Sequence, residues 1–185
     1  MKKFFKYLLS VFTILFILSC IFWITKFNSI TVDSKISNSQ QIKSLDRKIF
    51  WNFGFNKPEK NSTDFAIGRK YGDTILFNCY ALKSPKIKNL DIITFGFSTG
   101  YNGTNVVIFK YGNAFTVDVD NFSDVERTDD FFKQNQYKII KQKLTLNKEN
   151  YKTGDSIYGK LELKIKNRET EQIEMASGYF RTEMK

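Results

Sequence analysis

The chain has 185 residues, of which 42% are hydrophobic and 26% are charged, and it contains no histidine. The lack of histidine excludes Ser-His-Asp and Cys-His catalysis, histidine zinc sites and imidazole general bases. The formal net charge is +10, of which residues 1–26 contribute four; the remaining excess favours a mild attraction to anionic lipid headgroups or surface polymers.

The first predicted element is an apolar N-terminal helix. Three lysines among the first six residues precede an uncharged run over residues 7–25, and Lys26 closes it. About 19 residues at a rise of ~1.5 Å per residue are enough to cross a hydrocarbon core of ~30 Å. Because the lysines before the run outnumber those after it, the N-terminus is expected in the cytoplasm. We therefore interpret residues 1–26 as a membrane anchor or signal sequence, with residues 27–185 extracytoplasmic, in the periplasm or on the cell surface.

Two alternatives to a retained anchor stay open. One is a cleaved signal peptide, although the apolar run is long and no A-x-A cleavage pattern follows it. The other is lipidation, because Ile17-Leu18-Ser19-Cys20 resembles a bacterial lipobox and would make Cys20 the modified residue. All three interpretations place the rest of the chain across a membrane, which makes a nucleic-acid partner unexpected.

After the anchor, the composition predicts a polar tether over residues 27–48, where Ser, Asn and Gln dominate. From residue 49 onward, alternating apolar and polar residues predict strands. The predicted strands cover residues 49–55, 63–68, 74–82, 91–97, 104–111, 115–119, 137–146, 157–165 and 171–184.

Local motifs refine this pattern. Gly112-Asn113 is a hairpin signal, and a capping box at Ser123 and Glu126 predicts one short helix over residues 124–135. A shift in the apolar alternation predicts a β-bulge at Ser177-Gly178.

Short strands at this spacing with one short helix indicate an all-β fold. We expect an antiparallel β-sandwich or a partly closed barrel over residues 49–185, preceded by the transmembrane helix. The segment Tyr151-x-x-Gly154-Asp155-x-Ile157-x-Gly159 resembles an edge motif of immunoglobulin-like and macroglobulin-like sandwich domains. That resemblance implies a sandwich and implies no function.

The densest acidic cluster is a candidate calcium site. It comprises Asp118, Asp120, Asp124 and Glu126, and calcium prefers several oxygen ligands from one loop. The other interpretation is that the first two residues lie on a solvated strand face and the last two begin a helix.

A candidate binding surface lies on the C-terminal hairpin. A turn centred on Arg168-Glu169 places Tyr158 opposite Tyr179, with Lys160 and Arg181 beside them. Tyrosine next to cationic side chains suits a glycan or an anionic partner. The alternative is that this face only guards an exposed strand.

Cys79 is the one cysteine outside the anchor, so no intramolecular disulfide is expected there, and it is interpreted as a small buried hydrophobe. No cofactor is expected. The sequence thus favours a membrane-anchored, non-catalytic binding or structural module of the cell envelope, whose partner is an envelope protein or an anionic surface polymer.

Two alternative functions remain. One is an inhibitor or immunity-type protein that caps a secreted enzyme or toxin. The other is a carboxylate-dependent glycan hydrolase, which would need two acids roughly 5–9.5 Å apart.

Overall fold

A computed structural model describes residues 2–45, 62–68, 77–98, 101–123 and 136–185, and within the N-terminal helix it describes the side chains of residues 7 and 9–19. The predicted strand over residues 49–55, the predicted helix over residues 124–135 and the start of the strand predicted over residues 74–82 lie outside this part. The elements in chain order are α1 (Lys2–Ile24), β1 (Asn28–Ser29), β2 (Thr31–Val32), a 3₁₀ helix (Ile36–Asn38), α2 (Gln40–Leu45), β3 (Ser62–Thr63), β4 (Ala66–Ile67), β5 (Asn78–Lys83), β6 (Leu90–Ser98), β7 (Asn102–Tyr111), β8 (Ala114–Ser123), β9 (Tyr137–Leu146), β10 (Ser156–Asn167) and β11 (Ile173–Glu183).

The strands form two sheets. A five-stranded sheet has the order β1-β8-β7-β6-β5, and a six-stranded sheet has the order β2-β9-β10-β11-β3, with β4 also paired to β11. Neighbouring strands run antiparallel in every described pair except β2 and β9, which run parallel. The predicted all-β fold is therefore confirmed.

The two sheets share one hydrophobic core, to which β10 and most of β7 and β8 contribute every second side chain. Three phenylalanines from different segments meet in it: the Phe65 ring stacks on Phe95 at 4.8 Å between centroids, and Phe180 meets Phe95 edge-on at 5.1 Å. Burial of each such ring contributes roughly 1.5–3 kcal/mol. The core, more than any polar contact, holds the two layers together.

The two sheets are also joined at both edges. At one edge the chain passes from β1 to β2, and so from one sheet to the other, with Ile30 buried between them. At the other edge β5 meets the C-terminus, where Ala81 bridges to Met184 and the Lys185 N–H donates to the Ala81 carbonyl at 3.1 Å. The result is a sandwich whose layers are tied along both sides.

The segment after α1 differs from the polar tether predicted for residues 27–48. Its described part is folded: Ile36, Ile42 and Leu45 are buried, the 3₁₀ helix contacts β10 and α2 contacts β11. The Ser39 hydroxyl caps α2 by accepting the Ile42 N–H at 3.3 Å. The few apolar residues of this segment are enough to pack because the sheet supplies the other half of each contact.

The predicted bulge at Ser177-Gly178 is wrong. The β10–β11 register is regular from Ser156 opposite Glu183 to Lys166 opposite Ile173. The apolar alternation shifts because Ile173 and Met175 are exposed. The irregularity lies on the other side of β10, where Lys164 faces Lys141 but Ile165 faces Ile139, so Ile140 is an extra residue in β9.

Helix α1 covers the predicted apolar run, and its described side chains are exposed. Among the residues that the structure describes, no helix has both the length and the apolar character that a membrane crossing needs.

Candidate functional site

The outer face of the six-stranded sheet concentrates positive charge. On β9, β10 and β11 the side chains that alternate with the buried ones point away from the core. We call this surface the basic face. Its cationic residues are Lys138, Lys141, Lys143, Lys160, Lys164, Lys166 and Arg181.

The four predicted binding residues do lie together on the basic face, with a different register. Lys160 faces Tyr179, and Tyr158 faces Arg181, whereas the predicted turn placed the two tyrosines opposite each other. The register moves by two residues because the turn is longer: the Asn167 N–H donates to the Gln172 carbonyl at 2.9 Å. A shift of two residues leaves every side chain on its own face.

The charges around these four residues are largely compensated. The Lys160 ammonium lies 5.5 Å from the Tyr179 ring centroid and 2.9 Å from the Glu162 carboxylate, and Lys143 approaches that carboxylate at 4.0 Å. Tyr158, Lys160, Tyr179 and Arg181 are all half-buried, on strands against which the 3₁₀ helix and α2 pack. This end of the basic face therefore contributes to packing as well as offering polar groups.

At the other end of the basic face Lys138 and Lys141 are exposed and Lys164 and Lys166 are half-buried, and fewer ion pairs occur there among the described residues. Two cross-strand rows cover this end: Lys141, Lys164 and Met175 form one, and Lys138, Lys166 and Ile173 form the other. We call them the lysine rows. In each row two lysines on neighbouring strands face each other directly, which is unfavourable without a counter-charge.

Three glutamates of the described part lie near the lysine rows, Glu169, Glu171 and Glu174, but only Glu171 forms an ion pair with them. Lys166 pairs with Glu171, while Lys138, Lys141 and Lys164 have no carboxylate within salt-bridge distance among the described residues. Such a surface suits phosphate or carboxylate groups spread over an extended partner.

The sequence did not predict the lysine rows as a site. The alternating lysines of β9 and β10 were visible, but the pairing of Lys138 with Lys166 depends on the bulge at Ile140. Nothing local in the sequence marks that bulge.

The candidate calcium site is only partly described. Asp118 and Asp120 are exposed on β8, and one Asp118 oxygen accepts the Val119 N–H at 3.1 Å. Asp124 and Glu126 lie outside the described residues. Among the residues that are described, no group of three or more acidic, histidine or cysteine side chains is arranged to hold a metal ion.

The two cysteines differ in what the structure reports. Cys20 belongs to α1, but its side chain lies outside the described part, so lipidation stays a prediction. Cys79 is buried and has no disulfide, and this burial raises the pKa of its thiol well above the usual value. Cys79 is therefore inert in the folded protein.

A buried ionic cluster that the sequence did not reveal lies at the start of β6. The buried Lys110 ammonium is 3.1 Å from one Asp91 oxygen, and the Lys83 ammonium is 3.0 Å from the other. Lys110 also lies 5.8 Å from the Tyr151 ring centroid, and the Tyr151 hydroxyl donates to Asn147 at 2.7 Å. Each carboxylate oxygen already has a cationic partner, so the cluster is structural.

Comparison with known proteins adds no assignment. The chain matches no protein-family model, no curated protein and no solved structure.

Proposed function

We propose that this protein is a membrane-anchored, non-catalytic binding module of the cell envelope, with its β domain outside the cytoplasm. The observation that carries the proposal is the basic face, where in each lysine row an exposed lysine lies directly opposite a half-buried one. The partner that such a surface recognises is anionic and extended, such as a surface polymer.

Membrane attachment is supported by the sequence of α1. No charged residue occurs between Lys6 and Lys26, and apart from Ser10, Thr13 and Ser19 the described side chains of the helix are exposed apolar groups. A helix with this many exposed apolar side chains needs an apolar environment, because each side chain of this size costs roughly 1.5–3 kcal/mol when exposed to water. The bilayer provides that environment.

Anionic recognition is supported by the pairing of like charges. Lys141 and Lys164 face each other across neighbouring strands, and a like-charge pair directly opposite destabilises a sheet by up to about 1 kcal/mol. An anionic group bridging the two ammonium groups removes this repulsion. Each lysine at an anionic surface contributes roughly 1 kcal/mol to binding.

Attachment is tested by extracting native membranes at alkaline pH and by adding protease to intact cells. We expect the full chain to stay in the membrane pellet and its β domain to be cleaved from outside. Release of the full chain into the supernatant contradicts the anchor, and protection of the β domain in intact cells contradicts its extracytoplasmic position.

Anionic binding is tested with the full chain in neutral detergent micelles and with poly(glycerol phosphate) as the probe. We expect affinity that falls with salt and that drops roughly 25-fold in the double variant Lys141→Gln/Lys164→Gln, a factor of about five per lysine. The matched control is Lys86→Gln/Lys88→Gln, because Lys86 and Lys88 are exposed in the loop between β5 and β6. Equal loss in both variants contradicts a role for the basic face.

A further inference from the structure

We propose that the lysine rows form a second membrane contact, and that they dock onto the anionic lipid headgroups of the bilayer that holds α1. This inference deepens the proposed function and rests on it, because it names the anionic partner of the same face. Three features of the described residues favour a lipid surface over a soluble polymer.

The first feature is the charge pattern along the basic face. Glu162 partners Lys160 and Lys143 at one end, whereas the lysine rows oppose lysine to lysine at the other. Among the described residues Lys166 pairs with Glu171, so the lysines that gain most from an anionic surface are Lys138, Lys141 and Lys164. The negative potential of a bilayer acts within about 8 Å at physiological ionic strength, so the lysine rows must lie against the headgroups to benefit.

The second feature is the apolar residue that completes each row. Met175 stands beside Lys164 with 62% of its surface exposed, and Ile173 stands beside Lys166 with 57% exposed. Ile140, the bulge residue of β9, is also exposed. Exposed apolar side chains among lysines gain free energy at the interface of a bilayer, where headgroups and acyl chains are both within reach. A soluble polyanion offers them nothing.

The third feature is the attachment point of α1. The Gln142 side-chain amide on β9 donates to the Lys26 carbonyl and to the Asn28 side-chain oxygen, both at 2.7 Å, and its oxygen accepts the Val117 N–H at 2.9 Å. Gln142 is the neighbour of Lys141 in the sequence. Adjacent residues of a strand point to opposite faces, so Gln142 faces the core and Lys141 lies on the basic face. The chain leaving α1 is thus held at the β8–β9 edge of the sandwich, level with Lys141 along β9.

The experiment places a fluorescent label on either outer face of the full chain. Cys20→Ser and Cys79→Ala remove the native thiols, and Met175→Cys provides a labelling site at a lysine row. The control site is Tyr80→Cys, because Tyr80 is exposed on the outer face of the five-stranded sheet. Each labelled protein is reconstituted into vesicles that carry a quencher at headgroup level. The vesicles contain phosphatidylcholine alone or phosphatidylcholine with phosphatidylglycerol.

We expect quenching of the label at position 175 in vesicles with phosphatidylglycerol, and little quenching in vesicles of phosphatidylcholine alone. High salt should reverse the quenching, and the label at position 80 should be unaffected in both. The double variant Lys141→Gln/Lys164→Gln should lower the ratio of docked to undocked protein roughly 25-fold, at a factor of about five per lysine. Lys86→Gln/Lys88→Gln should leave that ratio unchanged.

Flotation of the same vesicles separates failure of this inference from failure of the anchor. Protein that floats with both kinds of vesicle but shows no quenching at position 175 overturns the membrane contact and leaves the anchor standing. Equal quenching at positions 80 and 175 overturns it as well. So does a label at position 175 that responds to added poly(glycerol phosphate) but not to phosphatidylglycerol, because the partner is then a polymer.

The label at position 175 could become less accessible to solvent as the protein concentration rises in lipid-free micelles. That result would identify a second copy of the chain as the occupant of this surface, and it would also overturn the proposal. Protein that fails to float even with phosphatidylcholine vesicles contradicts the anchor, and the docking inference falls with it.

Discussion

Lys110 places an ammonium group inside the core, where only 1% of the residue is exposed. Asp91, 3% exposed, supplies its counter-charge and also binds Lys83, whose side chain is 38% exposed. Removing two charges from water is costly, so the pair contributes little net stability, but breaking it leaves one charge buried without a partner. Lys110 is buried whereas Lys83 is partly exposed. Replacing one lysine should therefore affect stability differently from replacing the other.

Asp91→Ala should be far more destabilising than Lys110→Met. The first substitution strands the buried ammonium and should cost about 3–5 kcal/mol, whereas an apolar replacement of similar volume at a buried ion pair is often close to neutral. In the second variant Asp91 keeps its contact with Lys83. Denaturant unfolding of the two variants measures the difference.

Lys83→Met is the control for loss of the exposed partner and should cost no more than about 1 kcal/mol. Equal destabilisation by Asp91→Ala and Lys110→Met would show that the cost is one of packing and not of an unpaired charge.

At the scale of elements, the edge of β11 depends on a close crossing by the segment between β3 and β4. Asp64 accepts the Tyr179 N–H at 2.6 Å through its side chain, and the Thr63 hydroxyl donates to the Tyr179 carbonyl at 2.7 Å. These bonds draw the chain inward so that Phe65 enters the core. A Cβ at Gly178 would collide with the Phe65 backbone, so glycine is required there by this crossing.

Gly178→Ala should destabilise the protein by about 1–3 kcal/mol, in the range of overpacked cores, or by more if the crossing segment cannot move. Ser177→Ala is the matched control, since Ser177 is the exposed neighbour on the same strand, and it should change stability by less than about 0.5 kcal/mol. The free energy of unfolding in denaturant provides the test. A fully tolerated alanine at position 178 would contradict the close crossing.

At the scale of the whole molecule, two side chains are buried in their protonated form, and the free energy of unfolding should therefore fall at alkaline pH. Burial raises the pKa of the Cys79 thiol. Burial, with smaller contributions from Asp91 and Asp155, also raises the pKa of the Tyr151 phenol, against a lowering by Lys148. Both groups keep their proton in the folded state at a pH at which the unfolded chain has lost it.

Stability should therefore be constant near neutral pH and fall as the pH rises above the unfolded values, about 8.5 for cysteine and about 10 for tyrosine. The unfolded state then binds fewer protons than the folded one, so each group lowers the free energy of unfolding by up to about 1.4 kcal/mol per pH unit. Urea unfolding at a series of pH values measures this slope.

In Cys79→Ala the free energy of unfolding should fall less steeply with pH from about pH 8.5 upward. In Tyr151→Phe the same change should appear only above about pH 10. Burial also raises the pKa of the Tyr137 phenol, so some slope above pH 10 should persist in the second variant. Stability that rises between pH 9 and 11 would contradict the buried, protonated state of both groups.

Much of the strand pattern follows from the sequence alone, because alternation between apolar and polar residues is local. The bounds predicted over residues 137–146 match β9, and Gly112-Asn113 does form the turn of the β7–β8 hairpin, with Gly112 at a φ of 57°. The alternation of β10 likewise gives its buried and exposed faces. In these elements the period of two is enough to separate the core from the surface.

Features that depend on distant partners did not follow from the sequence. Residues 27–48 look too polar to fold, yet Ile36, Ile42 and Leu45 are buried because other parts of the fold cover them. The apolar shift before Gly178 suggested a bulge, but it reflects exposed residues at the start of β11. A segment's own composition cannot report what packs against it.

The sequence by itself determined an all-β chain with a charge-free N-terminal run and an excess of lysine on alternating strand positions. Only the tertiary structure decided which of those lysines face each other. The bulge at Ile140 sets Lys138 against Lys166, and the β10–β11 turn sets Ile173 beside them. Strand register is fixed by turn geometry and by the core on the opposite face of the sheet, and neither is encoded at the positions whose neighbours it determines.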